Sequence, residues 1–143
     1  MNYSYKGKIL ISTPDISGDI FSRSVVIIVD HNHEGAFGLI LNKKNKNMSE
    51  RLHAIFGFAV DVYEGGPVEN DKIFFISKGK KVTENFSEIS EEFYLTEDIE
   101  SVVTGMIEEQ ISVDEIKVFS GYSGWASKQL ESEVQRKMWT VVE

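Results

Sequence analysis

Gly65-Gly66-Pro67 is the sharpest chemical feature of the sequence. Successive glycines admit close backbone approach, and their N–H groups can form a nest for an anion. Pro67 removes one donor, however, and no Lys-Ser/Thr follows as in a phosphate-binding loop. The competing and stronger reading is a tight turn, with a cis-proline as one form of it, that redirects the chain between strands. His31 and His33 stand two apart, so on a continuous strand their rings would share a face and could hold a metal. Asp30 and Asn32 would point the other way, which leaves no third ligand. A metal-free pair of turn histidines is expected. Ser12, Thr13, Ser22 and Ser24 supply hydroxyls without a histidine–acid pair spaced to activate them. Gly121-Tyr122-Ser123-Gly124 misses the G-x-S-x-G elbow by one place. Glu84 to Glu115 holds 11 acids and no Lys or Arg, which reads as a solvated face rather than a converging catalytic pair.

The elements that must position these groups follow from patterning. Lys8–Thr13 reads as a strand closed by Pro14 and an Asp15–Asp19 turn. Ser24–His31 is too apolar to alternate and should be a central strand covered on both faces. His31–Gly35 joins it as a hairpin to Ala36–Leu41, where Gly38 marks a bulge or a close backbone approach. After a polar loop at Asn42–Asn47, Ser49 is placed to cap a short helix to about Ile55. Short strands follow at Asp61–Glu64 and Lys72–Ser77, with one of Phe74 and Phe75 facing the core and the other a second layer. Residues 80–95 are ambiguous, Phe93–Leu95 being their most extended piece. Thr96 should cap a helix whose buried face carries Ile99, Val102, Val103, Met106 and Ile107. Glu115–Phe119 reads as a strand, Ser120–Gly124 as a turn, Ala126–Lys137 as a helix with Trp125, Leu130, Val134 and Met138 in the core, and Trp139–Val142 as a last strand. No regular βαβ alternation appears. The fold class is therefore α+β, a mostly antiparallel sheet curled into a small β-barrel with surrounding helices.

The chain has 143 residues, 41% of them apolar, which is one domain's worth with a sufficient core. No cysteine is present, so disulfides and thiolate chemistry are excluded. No apolar run reaches the ~18 residues of a membrane span and no signal-peptide layout opens the chain, so a cytoplasmic location without membrane partners is the default. The net charge of −8 is uneven: residues 1–60 carry +2 and residues 61–143 carry −10. Such a field repels phosphate backbones and disfavours direct nucleic-acid binding. Lys43/Lys44/Lys46 and Lys78/Lys80/Lys81 read as solvated turn lysines.

Several segments together resemble the YqgE/AlgH family of bacterial proteins. They are Gly7 with Ile9–Pro14, Phe21–Val26, Asp30-His31-Asn32, Gly35–Asn42, Gly65-Gly66-Pro67-Val68, Gly121–Trp125, Gln129-Leu130-Glu131 with Glu133, and Trp139. Each is weak alone; their order from Gly7 to Trp139 is specific. The resemblance implies a small closed β-barrel with a bifurcated sheet and surrounding helices. It implies no established catalytic residues, and one branch is named for a regulatory role in exopolysaccharide gene expression. Family members usually continue beyond the Trp139 region with a further strand and a tryptophan-bearing helix. Against that pattern residues 1–143 form a single domain lacking the usual C-terminal extension.

At family-signature positions beside apolar strands stand Arg23, His31, Asn42 and Gln129. With Gly65 and Gly66 they are the candidate ligand-binding residues, Arg23 offering a bidentate fork to a carboxylate or phosphate. The plainer reading is that they satisfy backbone groups at strand ends and turns. No catalytic residue, metal site or cofactor is assigned. The preferred function is a non-enzymatic regulatory or binding module that acts through a protein partner or a small ligand, with transcriptional regulation implied by the resemblance. The alternative is a small-molecule enzyme, such as a hydrolase, with a pocket near Arg23/His31 and the Gly65-Gly66-Pro67 turn. A direct DNA-binding regulator is the weakest reading, given a pI of 4.9 and no basic helix. An exposed edge at Trp139–Val142 would invite pairing and points to a homodimer.

Overall fold

The computed structural model describes residues 4–14, 21–57, 59–79 and 86–142. The Asp15–Asp19 turn, Lys80, Lys81 and the first part of the ambiguous 80–95 stretch lie outside the described residues. Among these described residues nine strands form one sheet: β1 (Ile9–Ser12), β2 (Val25–Asn32), β3 (Gly35–Ile40), β4 (Val62–Glu64), β5 (Val68–Lys78), β6 (Ser87–Glu88), β7 (Phe93–Thr96), β8 (Ile116–Ala126) and β9 (Trp139–Val142). Three helices flank it, α1 (Lys46–Phe56), α2 (Ile99–Ile107) and α3 (Gln129–Gln135). The path across the sheet is β6-β7-β5-β8-β3-β2-β1-β9, with β4 joined to β8 beside it. Every pairing is antiparallel except β4 with β8. The result is a curled half-barrel of the α+β class, open rather than closed among the described residues.

β2 shows why its apolar run does not alternate. Ile27 and Val29 face the inside of the curl, where they meet Leu39, Phe74, Ile76, Leu95 and Phe119. Val26 and Ile28 face outward and are covered with Leu10, Ile40, Trp125, Leu130 and Trp139. On the other branch, α1 and α2 lay Leu52, Phe56 and Val102 over Val62, Phe75 and Val118. Phe74 and Phe75 thus serve the inner and outer cores respectively. Burying each such side chain contributes about 1.5–3 kcal/mol.

β8 corrects the expected turn at Ser120–Gly124, because the chain runs straight on to Ala126. Its first half pairs with β5 and β4, through Val118 and Phe119, while its second half, Ser123–Ala126, pairs with β3. The small residues are there to let the sheet fork. At the fork, Gly65 donates its N–H to the Ser120 carbonyl (2.8 Å), and its own carbonyl accepts from Ile40 N (2.9 Å) and Ser123 Oγ (3.0 Å). Gly66 lies directly on the Tyr122 carbonyl. Gly121 adopts φ 71°, and a Cβ there would meet the Gly66 oxygen at 2.5 Å. The peptide bonds of the described residues are all trans, Gly66–Pro67 included.

Other boundaries shift for local reasons. α1 starts earlier than a Ser49 cap would set it. Asn45 is the cap, accepting from Met48 N (3.0 Å), and Ser49 Oγ is drawn sideways to accept from Val62 N (2.8 Å). Asp98, not Thr96, caps α2, accepting from Ser101 N (3.1 Å); Thr96 Oγ1 accepts from Asp98 N instead. Ile107 is exposed although its spacing placed it inward. The chain doubles back after it and Ile111 takes the buried position over Gly105. α3 starts at Gln129 rather than Ala126, since strand pairing holds the chain through Ala126 opposite Gly35 and Lys128 makes a left-handed turn at φ 65°. The irregularity near Gly38 falls on the opposing strand, between Ile28 and Asp30, while Gly38 itself lies close to the Ile27 carbonyl.

The fork yields a stability prediction. Gly66→Ala drives a Cβ into backbone that no rotamer can clear, so it should cost more than about 3 kcal/mol or abolish folding. Gly57→Ala, also left-handed at φ 80° but in open space, should cost only about 1–2 kcal/mol. Urea unfolding of the two variants measures the contrast.

Candidate functional site

Arg23 and Asn42 meet, but through backbone. Asn42 Oδ1 accepts from Val25 N (2.9 Å) and Nδ2 donates to the Arg23 carbonyl (2.9 Å), clamping a left-handed turn at φ 53° ahead of β2. The Arg23 side chain is exposed. His31 lies at the other end of β2, about 25 Å of extended chain away. It is buried, with Nδ1 accepting from Tyr5 N (2.9 Å) and the Tyr5 ring stacked on it at 5.3 Å. Its proton therefore sits on Nε2, 3.2 Å from Glu131 Oε2 but off the line of a hydrogen bond. His33 stands in the following turn, exposed, so the two histidines share no site. Among the described residues no group of three or more His, Asp or Glu is placed to hold a metal ion. Gly65 and Gly66 are buried against β8 at the fork.

Gln129 belongs to a bracket around α3. Its Oε1 accepts from Ala126 N (2.9 Å) and its Nε2 donates to Glu133 Oε2 (2.9 Å). The other carboxylate oxygen, Glu133 Oε1, accepts from the indoles of Trp125 (2.9 Å) and Trp139 (3.0 Å). Phe21 packs edge-on against Trp139, completing an aromatic cluster. This carboxylate joins α3, β8 and β9, a framing role. Of the six sequence candidates, Arg23 and Asn42 form one cluster, His31 and Gln129 border α3, and the two glycines sit at the fork.

An apolar-walled concave feature lies elsewhere, apart from a second hollow of similar volume beside Phe86, Thr96 and Glu100. Where the β1–β2–β3 branch separates from the β4–β8–β5–β7 branch, a cavity of about 690 Å³ opens, within the ~300–1,000 Å³ of small-molecule sites. Ile9, Ile27 and Leu41 line it from one branch; Tyr63, Ile76, Phe93 and Lys117 line it from the other. Val60 and Asp61 precede β4 at its mouth, and Val113–Glu115, one turn of 3₁₀ helix, closes the end of β8. Two lysines line the cavity; Lys78 is exposed at the end of β5, and register explains why Lys117 stands among the apolar walls. Lys117 stands opposite Ile76, on the inner face with Phe119, and its Nζ lies 4.2 Å from the Tyr63 ring centroid. Burial among apolar neighbours pushes the Lys117 pKa below its ordinary value. Among the described residues no carboxylate reaches ion-pair distance of it. Two of the lining acids have other partners: Asp61 pairs with Lys44 (3.4 Å), and Glu115 Oε1 accepts from Ser112 N (2.8 Å), while Asp114 is exposed.

Sequence reasoning did not single out this cavity. The available signal was a lysine set in the apolar run Ile116-Lys117-Val118-Phe119, at a position where alternation turns the side chain inward.

Comparison with known proteins was consistent along the chain. A family model described as AlgH-like matches residues 9–143. A UPF0301 protein of Cytophaga hutchinsonii is 35% identical over 140 residues, covering 96% of this chain and 77% of that one. One from Chlamydia muridarum is 36% identical, covering 94% and 72%. The solution structure of the AlgH protein from Pseudomonas aeruginosa superposes with a TM-score of 0.78 at 24% identity, covering 99% of this chain and 78% of that one. A crystal structure of a protein from Corynebacterium diphtheriae gives 0.75 at 20% identity, covering 99% and 76%.

The α3 bracket gives its own expected outcome. Glu133→Ala strands two buried indole donors and should destabilise by about 3 kcal/mol. Glu133→Gln keeps one oxygen for both and should cost about 1 kcal/mol. Urea unfolding followed by tryptophan fluorescence reads both, since the reporters are the affected residues.

Proposed function

We propose that this chain, which belongs to the AlgH-like family, is a regulatory binding module that senses a small ligand in the cavity between the two branches of its sheet. The supporting observation is the cavity itself: apolar walls from both branches with the half-buried Lys117 amine among them, a chemistry suited to recognition. Ligand entry there would bear on the relative position of β1–β3 and β4–β8, because each supplies one wall. The hydrolase reading needs Arg23 and His31 at one pocket, and the length of β2 between them weighs against it. Among the described residues no helix is long and apolar enough to cross a membrane. The acidic charge from residue 61 onward favours an output through a protein partner over direct contact with DNA.

The test uses a neutral apolar probe. Titration with 1-octanol, followed by amide NMR shifts, should saturate with one site and move Ile9, Ile27, Tyr63 and Ile116 while leaving Arg23, Asn42 and Gly65 in place. Shifts centred on Arg23, His31 or Gly65, or no saturable shift at all, would contradict the cavity as the site.

A further inference from the structure

The cavity's charged groups are unevenly placed, and that constrains what it holds: Lys117 is half-buried among apolar walls, while Asp61, Asp114 and Lys78, which also line it, are exposed. An ammonium group removed from water is destabilised unless an anion or hydrogen-bond acceptor compensates it. Lys117 has the Tyr63 ring face at 4.2 Å and, among the described residues, no carboxylate within ion-pair distance. Such an arrangement leaves its N–H donors directed at whatever occupies the cavity. Ile9, Ile27, Ile76 and Phe93 meanwhile offer nothing but apolar surface. Their complement is a molecule with an apolar body and one acidic head.

We propose that the cavity takes a small amphipathic carboxylate, with its alkyl or aryl body against Ile9, Ile27, Ile76 and Phe93 and its carboxylate on the Lys117 ammonium. The inference rests on the cavity being the ligand site and goes beyond it by naming the ligand's chemical class. Burial has already lowered the Lys117 pKa, and a bound carboxylate would raise it again by stabilising the charged form. The other ionisable groups at the cavity are Tyr63 on β4, Lys78 on β5, Asp61 ahead of β4, and Asp114 and Glu115 in the turn before β8. Asp61 and Glu115 are already engaged, and Lys78 and Asp114 are exposed, so Lys117 is the half-buried cation among the cavity's lining residues. Carboxylate affinity should therefore fall as pH rises through the titration of Lys117, whereas affinity for an uncharged analogue should not.

The probes are octanoate and 1-octanol, titrated by calorimetry into the full chain and into Lys117→Met and Lys117→Arg. Octanoate should bind the native protein about ten-fold more tightly than octanol, one charge-assisted contact's worth. Lys117→Met should erase that preference, bringing octanoate and octanol to equal affinity, and Lys117→Arg should keep most of it. Equal affinity for the two probes in the native protein would overturn the carboxylate assignment while leaving the cavity as a site for neutral ligands. Failure of both probes to bind would overturn the cavity reading and this one with it. The native-protein comparison requires no variant, so it decides the matter even if Lys117→Met does not fold.

Discussion

The backbone of Gly65-Gly66 lying on the backbone of Ser120–Tyr122 is the contact on which the architecture turns. A strand can pair on only two edges, yet β8 serves β5, β4 and β3. It does so by giving one edge to β5 and dividing the other between β4 and β3 along its length. The division needs a segment that leaves β4, crosses at van der Waals distance and hands hydrogen bonds to both neighbours. Gly65 does this through Ser120, Ile40 and Ser123. Side chains at the crossing would hold the backbones apart. With the fork in place the sheet splits into two branches, and the widening gap between them becomes the cavity.

The frame around that gap is held from outside. α1 and α2 cover the β4–β5–β8 branch, and α3 covers β1–β3 and β9. Polar side chains inside this frame are mostly matched to backbone or to one another: Asn45 and Ser49 tie α1 to β4, Asn42 clamps the entry to β2, and Glu133 collects two indoles. Lys117 departs from this rule: among the described residues its ammonium meets the Tyr63 ring face and no carboxylate. On this contrast between a well-matched frame and a half-buried amine without a carboxylate partner we propose the cavity as the ligand site.

The sequence carried the fold further than it carried the site. β2's double-sided apolar run, the 93–96 and 139–142 strands and the split of Phe74 and Phe75 between layers were readable, because burial period is a local property. The continuation of β8 through Ser120–Gly124 was not, since small residues signal a turn by propensity and only tertiary crossing shows that close approach is their purpose. Asn45 and Asp98 displaced the hydroxyl residues expected as caps for a related reason: Ser49 and Thr96 found other hydrogen bonds. The signature polar residues were visible but their meeting points were not. Arg23 and His31 look adjacent on a motif line and stand at opposite ends of one strand. Lys117 and Tyr63 are far apart in sequence and are joined by the parallel pairing of β4 with β8.

We propose that the fork is the origin of a ligand site in which Lys117 selects a carboxylate. A crystal structure of the protein grown with octanoate tests that most directly. The predicted result is density between the two branches, its carboxylate on Lys117 Nζ and its chain against Ile27 and Ile76, with the Gly65–Ser120 crossing unchanged. Density seated instead at Arg23 or along α3, with the cavity between the branches vacant, would contradict it.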